Sequence, residues 1–289
     1  MHRQRALFAI HIAAVLFGLT GIFGKLIEGD ALAITAGRAG FASAVLYAAM
    51  RWGGVPLRHN MGRRHLAVLA LASIMLAIHW ATFFVSVKIA GVAVATLGFA
   101  SFPAFITLIE RIVFKERASR TEWLILALVT TGLVLVTPSF DFRNHATIGL
   151  AWAILSGLTF ALFTVINRRA ASSIPAQQVA CWENLFVFIL TLPFGWASLG
   201  TLGALDWLWL AILGIACTAL SHYLMVSSLM ALNARSAGIV IALEPVYAIV
   251  FAALLFGQYP SLRMVLGGVL MVGAIIWAGL RQASARKTA

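Results

Sequence analysis

The sequence predicts an all-α integral membrane protein with ten transmembrane helices, arranged as two inverted five-helix repeats with both termini on the cytoplasmic side. Composition, recurrent apolar stretches and a duplicated order of motifs support this prediction. Of the 289 residues, 62% are hydrophobic and only 10% are charged, whereas soluble domains carry about 25% charged residues. The apolar runs are continuous, whereas the strands of a transmembrane β-barrel alternate in polarity. The spanning elements are therefore expected to be helices.

Ten apolar stretches are long enough to cross the hydrocarbon core of a bilayer, which takes about 20 helical residues. They cover approximately residues 6–24, 31–50, 66–87, 91–110, 121–137, 147–167, 177–198, 207–230, 236–256 and 262–280. The first stretch has the basic start of a signal peptide, but it shows no clear small-residue cleavage site, so we interpret it as the first helix. The connections are short and leave no room for a separate soluble catalytic domain.

The second half of the chain repeats the order of motifs found in the first half. Ser156-Gly157 echoes Phe17-Gly18, His222 echoes His79, Glu244-Pro245 echoes Phe102-Pro103, and Gln258 echoes Glu116. The predicted repeats cover residues 1–139 and 140–289. Because each repeat holds an odd number of spans, the second is inverted relative to the first. Inverted repeats are typical of secondary transporters, in which the two halves exchange conformations around a central site.

Lysine and arginine are distributed unequally across the predicted membrane. When the N-terminus is placed inside, the outer segments carry only Lys25, Lys88, Arg143 and Arg263 of the 21 basic residues, and Arg38 lies within a span. This asymmetry predicts cytoplasmic termini and a multi-pass protein of the inner (plasma) membrane. The net charge of +12 fits contact with an anionic lipid leaflet, so no nucleic-acid partner is expected.

Several short motifs occur in the order and spacing of one known family. They are Phe17-Gly18, Lys25 closing the first helix, Ala36-Gly37-Arg38 in the second, Pro103 in the fourth, Glu116 before the fifth, and Leu243-Glu244-Pro245 in the ninth. On these residues the chain resembles the drug/metabolite transporter superfamily, in its ten-helix branch with two EamA-type repeats. One departure is Gln258, where the family pattern usually has Glu. The chain is most similar to bacterial exporters of amino acids and metabolites, with aromatic-amino-acid exporters the closest likeness.

We therefore expect a secondary transporter, a carrier or facilitator, that exports small metabolites, above all neutral and aromatic amino acids. Alternating access around a central apolar cavity is the expected mechanism, in a monomer without a cofactor or a metal. The runner-up is a proton-coupled exporter of drugs or quaternary cations. A distant alternative is an intramembrane hydrolase with Ser156 as nucleophile and His79 or His222 as base.

Three charged residues in the predicted spans are candidates for charge recognition or coupling. Arg38 lies in the second span, where a charge costs about 2.5–3.5 kcal/mol on insertion scales. It either pairs with a carboxylate, snorkels to the outer surface, or binds a substrate carboxylate. Glu183 is either hydrogen-bonded by Asn184, exposed to water, or involved in distinguishing the two gates. Glu244 is a candidate carrier of a coupling proton.

Pro103 and Pro245 lie inside the predicted fourth and ninth spans, at corresponding places in the two repeats. Proline removes a backbone hydrogen bond one turn earlier, so each helix is expected to kink there. Free backbone groups at such a kink can meet a ligand. We predict that both prolines are hinges, with ordinary helix shaping as the alternative.

His79 lies in the middle of the third span. The predicted substrate-binding residues are His79, Phe83, Phe99, Phe102, Phe163 and His222, the last being the repeat-related counterpart of His79. Aromatic stacking and apolar burial would favour a substrate with a bulky uncharged side chain. The alternative is that His79 is an interhelical hydrogen-bonding residue and that the phenylalanines form core or lipid-facing surface.

Overall fold

The computed structural model describes residues 3–58, 61–115, 120–137, 141, 143–170, 174–229, 240–241 and 243–285. Every regular element in this part of the chain is helical. The helices are α1 (Arg3–Leu26), α2 (Ala31–Trp52), α3 (Arg63–Phe99), α4 (Phe102–Val113), α5 (Arg120–Val136), α6 (His145–Ala170), α7 (Ala176–Leu199), α8 (Ala204–Gly214), α9 (Ser221–Leu229), α10 (Glu244–Phe256) and α11 (Leu262–Ala285). A π-helical segment, Ile215–Leu220, joins α8 to α9.

Six helical stretches of the described chain are long and apolar enough to cross a membrane, and three shorter helices are also apolar. Their outward surfaces are apolar as well. Phe194, Leu254 and Leu262 are 73%, 76% and 75% exposed. Extensive exposed apolar surface marks contact with a nonpolar environment. The fold is that of a multi-pass membrane protein.

The predicted third and fourth spans are divided differently in the structure. Helix α3 runs from Arg63 to Phe99 as one element, and its backbone leaves helical geometry at Gly91, where φ is 83° and ψ is 172°. Glycine adopts this conformation without the steric cost that other residues meet. The predicted helix 91–110 is wrong as a single element, because it is interrupted at Ala100 and Ser101.

Pro103 and Pro245 each stand at the second residue of a helix, which corrects the predicted mid-helix kinks. Helix α4 begins at Phe102 and α10 begins at Glu244. Proline is tolerated in a first turn because its missing N–H would have no intrahelical partner there. Each proline therefore starts a helix. Residues 230–239 and 242, within the predicted spans 207–230 and 236–256, lie outside the described residues, as does Glu116.

Two glycines bring neighbouring helices against these two helix starts. An added Cβ on Gly157 of α6 would lie 2.7 Å from Ser101 Oγ and 3.0 Å from the Phe99 carbonyl oxygen. An added Cβ on Gly18 of α1 would lie 3.1 Å from the Glu244 carbonyl oxygen. Gly18 and Gly157 occupy corresponding places in the repeated sequence. Each half of the chain therefore places its equivalent glycine, Gly18 or Gly157, against a proline-containing helix start of the other half.

Helices α5 and α11 pack closely through small residues. An added Cβ on Gly132 would lie 2.9 Å from the Gly267 carbonyl oxygen, and one on Gly267 would lie 2.7 Å from the Gly132 carbonyl oxygen. Small residues let helix backbones approach in membranes. A separate buried apolar cluster joins α1, α2, α3, α7, α8 and α10, and Phe102 of α4 and Phe160 and Phe163 of α6 pack against it. The candidate site lies there.

Candidate functional site

An aromatic cluster surrounds His79 where α3, α4 and α6 meet. Ring contacts join His79, Phe83, Phe99, Phe102, Phe160 and Phe163. The His79 ring lies 5.0 Å from Phe99 and 4.9 Å from Phe160, measured between centroids. Phe102 stacks on Phe99 at 5.2 Å, across the break between α3 and α4. The structure thus brings together all the predicted substrate-binding residues except His222.

His79 is attached to α6 through Ser156. Its Nδ1 lies 2.7 Å from Ser156 Oγ and 3.2 Å from the Ser156 carbonyl oxygen, and Ser156 Oγ donates to the His79 carbonyl oxygen at 3.0 Å. Because the single hydroxyl hydrogen points to that carbonyl, Nδ1 faces only acceptors and must itself carry hydrogen. The hydrogen-bond network therefore assigns His79 as the Nδ1–H tautomer.

This tautomer leaves Nε2 of His79 as the acceptor nitrogen. No described residue forms a hydrogen bond with Nε2. His79 as a whole is 7% exposed. A neutral imidazole with one nitrogen fixed and the other free can accept a hydrogen bond from a ligand. The predicted interhelical role of His79 is thus present at Nδ1, alongside a free Nε2.

The contact between Ser156 and His79 does not have the arrangement of a hydrolase. A catalytic base must accept the serine proton, whereas here the Ser156 hydroxyl donates to a backbone carbonyl and receives the imidazole N–H. Ser156 is also fully buried, at 0% exposure, so its oxygen cannot reach a substrate carbonyl. The pair connects α3 to α6.

Arg38 is buried on α2, at 4% exposure, and does not snorkel to the surface. Its Nε–H and one Nη2–H donate to Thr218 Oγ1 at 3.1 and 2.9 Å. Thr218 in turn donates to the Leu213 carbonyl oxygen at 2.8 Å, within the π-helical turn. The guanidinium carbon also lies 4.0 Å from the centroid of the Trp80 ring, a cation–π contact. The π-helical segment thus positions a charged side chain.

Three N–H groups of Arg38 remain without a hydrogen-bond partner among the described residues, since a guanidinium has five. The predicted carboxylate pair is not formed as a direct ion pair. Glu244, which is partly buried at the start of α10, interacts electrostatically with Arg38 but shows no hydrogen bond to it. His79 also lies within electrostatic range of Arg38. The three predicted residues therefore belong to one region.

Glu183 lies elsewhere, buried at 4% exposure on α7. Its Oε1 accepts a hydrogen bond of 2.7 Å from Asn167 Nδ2 of α6. The expected partner, Asn184, instead donates to the Ala180 carbonyl oxygen at 2.8 Å. The expectation of contact with Asn184 or with water is therefore wrong, because adjacent residues of a helix point about 100° apart.

Sequence reasoning missed two residues: Thr218, the partner of Arg38, and Asn167, the partner of Glu183. No motif marks Thr218 or Asn167, because their importance comes from partners distant in sequence. Phe160 and Phe163 share the helical spacing that already pointed to α6, so that signal was present. His222 on α9 makes no ring contact or hydrogen bond with the cluster among the described residues.

Buried charged and polar side chains at the centre of apolar membrane-spanning helices are typical of a transport protein. Comparison with known families agrees: the model of the EamA-like transporter family matches the chain twice, over residues 4–137 and 147–280. The protein belongs to the EamA-like transporter family, and it is a transporter. The predicted boundary between residues 139 and 140 lies between the two matched ranges.

Individual relatives have similar lengths. A protein of Archaeoglobus fulgidus, described as an uncharacterized transporter, is 26% identical over 93% of this chain and 94% of its own. The uncharacterized transporter YxxF of Bacillus subtilis is 22% identical over 99% of this chain and 94% of its own. One crystal structure of a protein matches 98% of this chain and 99% of its own with a TM-score of 0.68 and 19% identity. That likeness shows the fold.

Proposed function

We propose that this protein is a secondary transporter that exports small metabolites, chiefly neutral and aromatic amino acids. The observation that carries the proposal is His79, a buried imidazole at the centre of an aromatic cluster, whose Nε2 has no hydrogen-bond partner in the described part of the chain. Helices α3 and α4 supply that cluster from the first half, and α6 supplies it from the second. Transporters built from inverted repeats bind substrate at the interface between the repeats.

The aromatic cluster favours a bulky apolar side chain on the substrate. Phe99 and Phe102 stack with an interplanar angle of 23°, and Phe160 meets Phe102 edge-on at 84°. Both geometries are favourable for aromatic rings, and each adds about 0.5–1.5 kcal/mol beyond apolar burial. A substrate ring that separates these side chains would keep contacts of the same kind. Indole and phenyl groups therefore suit this site better than charged side chains.

Arg38 and Glu244 suit the head group of an amino acid. Three N–H donors of Arg38 have no hydrogen-bond partner among the described residues. A guanidinium binds a carboxylate through two parallel hydrogen bonds. Glu244 carries the opposite charge in the same region without forming a direct pair with Arg38. An α-carboxylate at Arg38 and an α-ammonium at Glu244 would neutralise both. A neutral amino acid carries these two charges together.

The proposed mechanism is alternating access by ten spans in two inverted repeats, with both termini inside. Contacts at both ends of α7 support gates on each side. At its C-terminal end, Ser198 Oγ accepts from the Asp30 N–H at 3.0 Å. Near its N-terminal end, Gln178 donates to the Pro56 carbonyl oxygen at 2.7 Å and Trp182 to that of Leu57 at 2.9 Å. Breaking the hydrogen bonds at one end of α7, while those at the other end remain, would open the site to one side of the membrane.

The repeat-related helix starts support the same mechanism. Gly18 and Gly157 place α1 and α6 against the starts of α10 and α4, so the two halves meet through equivalent contacts. Equivalent contacts allow the halves to exchange conformations at similar free energy. Pro103 and Pro245 lie at these helix starts, and we propose that they act as hinges for this exchange.

The second candidate is a proton-coupled exporter of drugs or quaternary cations. The aromatic cluster favours it, because phenylalanine rings bind quaternary ammonium groups by cation–π attraction. The buried positive charge of Arg38 opposes it, since that charge would repel a cation. A direct comparison of substrates separates the two candidates.

The test is counterflow in proteoliposomes that contain the purified protein. Labelled phenylalanine, tryptophan, methionine and threonine would be offered, together with tetraphenylphosphonium as a lipophilic cation. We expect exchange of the amino acids, with phenylalanine and tryptophan preferred. Exchange of the cation alone would support the second candidate, and no exchange of any compound would reject the proposal.

The role of Arg38 is tested with Arg38→Gln and a substrate that lacks the carboxylate. Hydrogen bonds to a charged group contribute about 1.5–3 kcal/mol each, so the variant should raise the half-saturating concentration of tryptophan at least tenfold. Inhibition of wild-type exchange by tryptamine, which has no carboxylate, should be weak and unchanged by the substitution. Equal effects on tryptophan and tryptamine would show that Arg38 supports only the fold.

A further inference from the structure

A second polar pair lies between α6 and α7, close to the aromatic cluster. Asn167 follows Phe163 by four residues on α6 and therefore lies on the same helix face, one turn away. Its Nδ2 donates to Glu183 Oε1 at 2.7 Å. A displacement of this pair would also move the part of α6 that carries Phe163.

Both side chains of the pair retain an unused oxygen. Asn167 Oδ1 is fully buried and has no hydrogen-bond partner among the described residues. Glu183 Oε2 also receives no hydrogen bond from them, and Glu183 as a residue is 4% exposed. Of the two oxygens, Asn167 Oδ1 is the one that is both fully buried and without a partner. An unpaired buried acceptor costs about 1–3 kcal/mol, and more when it is charged. An unpartnered amide oxygen beside a largely buried carboxylate is a place where a bound proton or cation would supply the missing partner.

No charged side chain among those described neutralises Glu183. Helices α2 and α3 pack against α7, and α6 reaches it through Asn167. In the described part, these three helices carry the titratable groups Arg38, Tyr47, Arg51, Arg63, Arg64, His65, His79, Lys88 and His145. None of these interacts electrostatically with Glu183, and on α7 itself neither does Cys181. The side chains of Arg168 and Arg169 lie outside the described part of α6. A carboxylate in this setting needs a cation or a proton.

We propose that Glu183 and Asn167 form the proton-binding site of the transporter. In the protonated pair, Asn167 Nδ2 donates to Glu183 Oε1, and a new O–H on Glu183 Oε2 donates to Asn167 Oδ1. One proton enters from water, and no other bond forms or breaks. This arrangement removes the uncompensated charge and gives each unused oxygen a partner. A buried carboxylic acid paired with a primary amide satisfies every polar atom of both side chains.

Proton binding by Glu183 and Asn167 does not depend on the proposed transport function. Its effect on substrate movement does. Release of the proton would leave a buried carboxylate beside an unpaired amide oxygen, which favours a movement of α6 relative to α7. Because Phe163 lies one turn from Asn167, that movement would alter the aromatic cluster. Proton occupancy would thereby be linked to the state of the substrate site. At one proton per substrate, a tenfold proton gradient would sustain at most about tenfold accumulation.

The first experiment detects the proton itself in the purified full-length protein. Infrared difference spectroscopy between acidic and alkaline buffer should show a protonated carboxyl band that Glu183→Gln abolishes and Asn167→Leu shifts in frequency. Asn184→Ala is the matched control, because Asn184 is an equally buried neighbour that does not contact Glu183; it should leave the band unchanged. A band that survives in Glu183→Gln with equal amplitude would overturn the proposal.

The second experiment measures coupling in proteoliposomes with Glu183→Gln, whose amide imitates the protonated acid and can form the same two hydrogen bonds. We expect substrate exchange to persist while net flux loses its response to an imposed pH gradient. If net flux in Glu183→Gln still responds to the pH gradient, the proposal is contradicted. If wild-type flux responds to a sodium gradient and not to a pH gradient, the site binds sodium and the proposal is also contradicted. If wild-type exchange itself is absent, the proposed function fails, and the infrared band still decides whether the site binds a proton.

Discussion

Substituting Gly157 by alanine should separate α6 from the break between α3 and α4. The added Cβ would lie 2.7 Å from Ser101 Oγ, 3.0 Å from the Phe99 carbonyl oxygen and 3.4 Å from the Phe102 nitrogen. Two of these atoms are backbone, and Ser101 Oγ is already held by its hydrogen bond of 2.7 Å to the Gly98 carbonyl oxygen. The Phe99 carbonyl oxygen can yield only if the helix moves, and Ser101 Oγ only if its hydrogen bond breaks, whereas 3.4 Å to the Phe102 nitrogen is an ordinary contact. Overpacking of this kind costs about 1–3 kcal/mol.

Alanine also has a higher helix propensity than glycine, by up to about 1 kcal/mol. The matched control is therefore Gly273→Ala in α11, where the added Cβ meets nothing within 4 Å. This control should be neutral or stabilising. The difference in stability between Gly157→Ala and Gly273→Ala is then expected to be about 1–3 kcal/mol, which isolates the steric cost.

The assay is thermal unfolding of the purified proteins in one detergent, followed by the fraction that remains monodisperse on size-exclusion chromatography. Gly157→Ala should lose monodispersity at a lower temperature than the wild type, and Gly273→Ala should not. Equal midpoints for the two variants would refute the inference that Gly157 is needed for close packing against the helix break.

The remaining predictions concern the histidine and the helix starts. His79→Ala should reduce amino-acid exchange without lowering the amount of folded protein in the membrane, whereas Ser156→Ala should mainly cost stability, by about 0.6–1.7 kcal/mol for its hydrogen bonds. Loss of folded His79→Ala protein would assign that residue a structural role only. Pro103→Ala and Pro245→Ala should extend a helix backwards across the break and slow the exchange between inward- and outward-accessible states. Unchanged labelling rates of cysteines placed at either mouth would contradict the hinge role.

Much of the site was predictable because it depends on helical spacing. His79 and Phe83 share a face of α3, and Phe160 and Phe163 lie near one another on α6, so the aromatic cluster follows from periodicity once the two helices pack together. The break at Ala100 and Ser101 did not follow. Gly157, from the other half of the chain, leaves room for this turn between α3 and α4.

The sequence also indicated the buried charged residues without indicating their partners. The cost of burying Arg38 and Glu183 in a membrane marked both as significant, but their partners, Thr218 and Asn167, carry no motif. Thr218 reaches Arg38 because the π-helical turn places its hydroxyl there, and Asn167 meets Glu183 where the C-terminal part of α6 comes near the N-terminal part of α7. Such contacts arise between residues that are far apart in sequence or on different helices.

The sequence by itself determined that this chain is a multi-spanning helical membrane protein with repeated motifs, because span length, apolar composition and motif order are local properties read directly along the chain. Tertiary structure decided which polar atoms are satisfied and which are left free. His79 Nε2, three N–H groups of Arg38 and Asn167 Oδ1 have no partner among the described residues, although packing has given the other polar atoms of the same side chains their partners. In an apolar medium that cannot supply hydrogen bonds, these unassigned atoms are where a substrate or a proton gains most by binding.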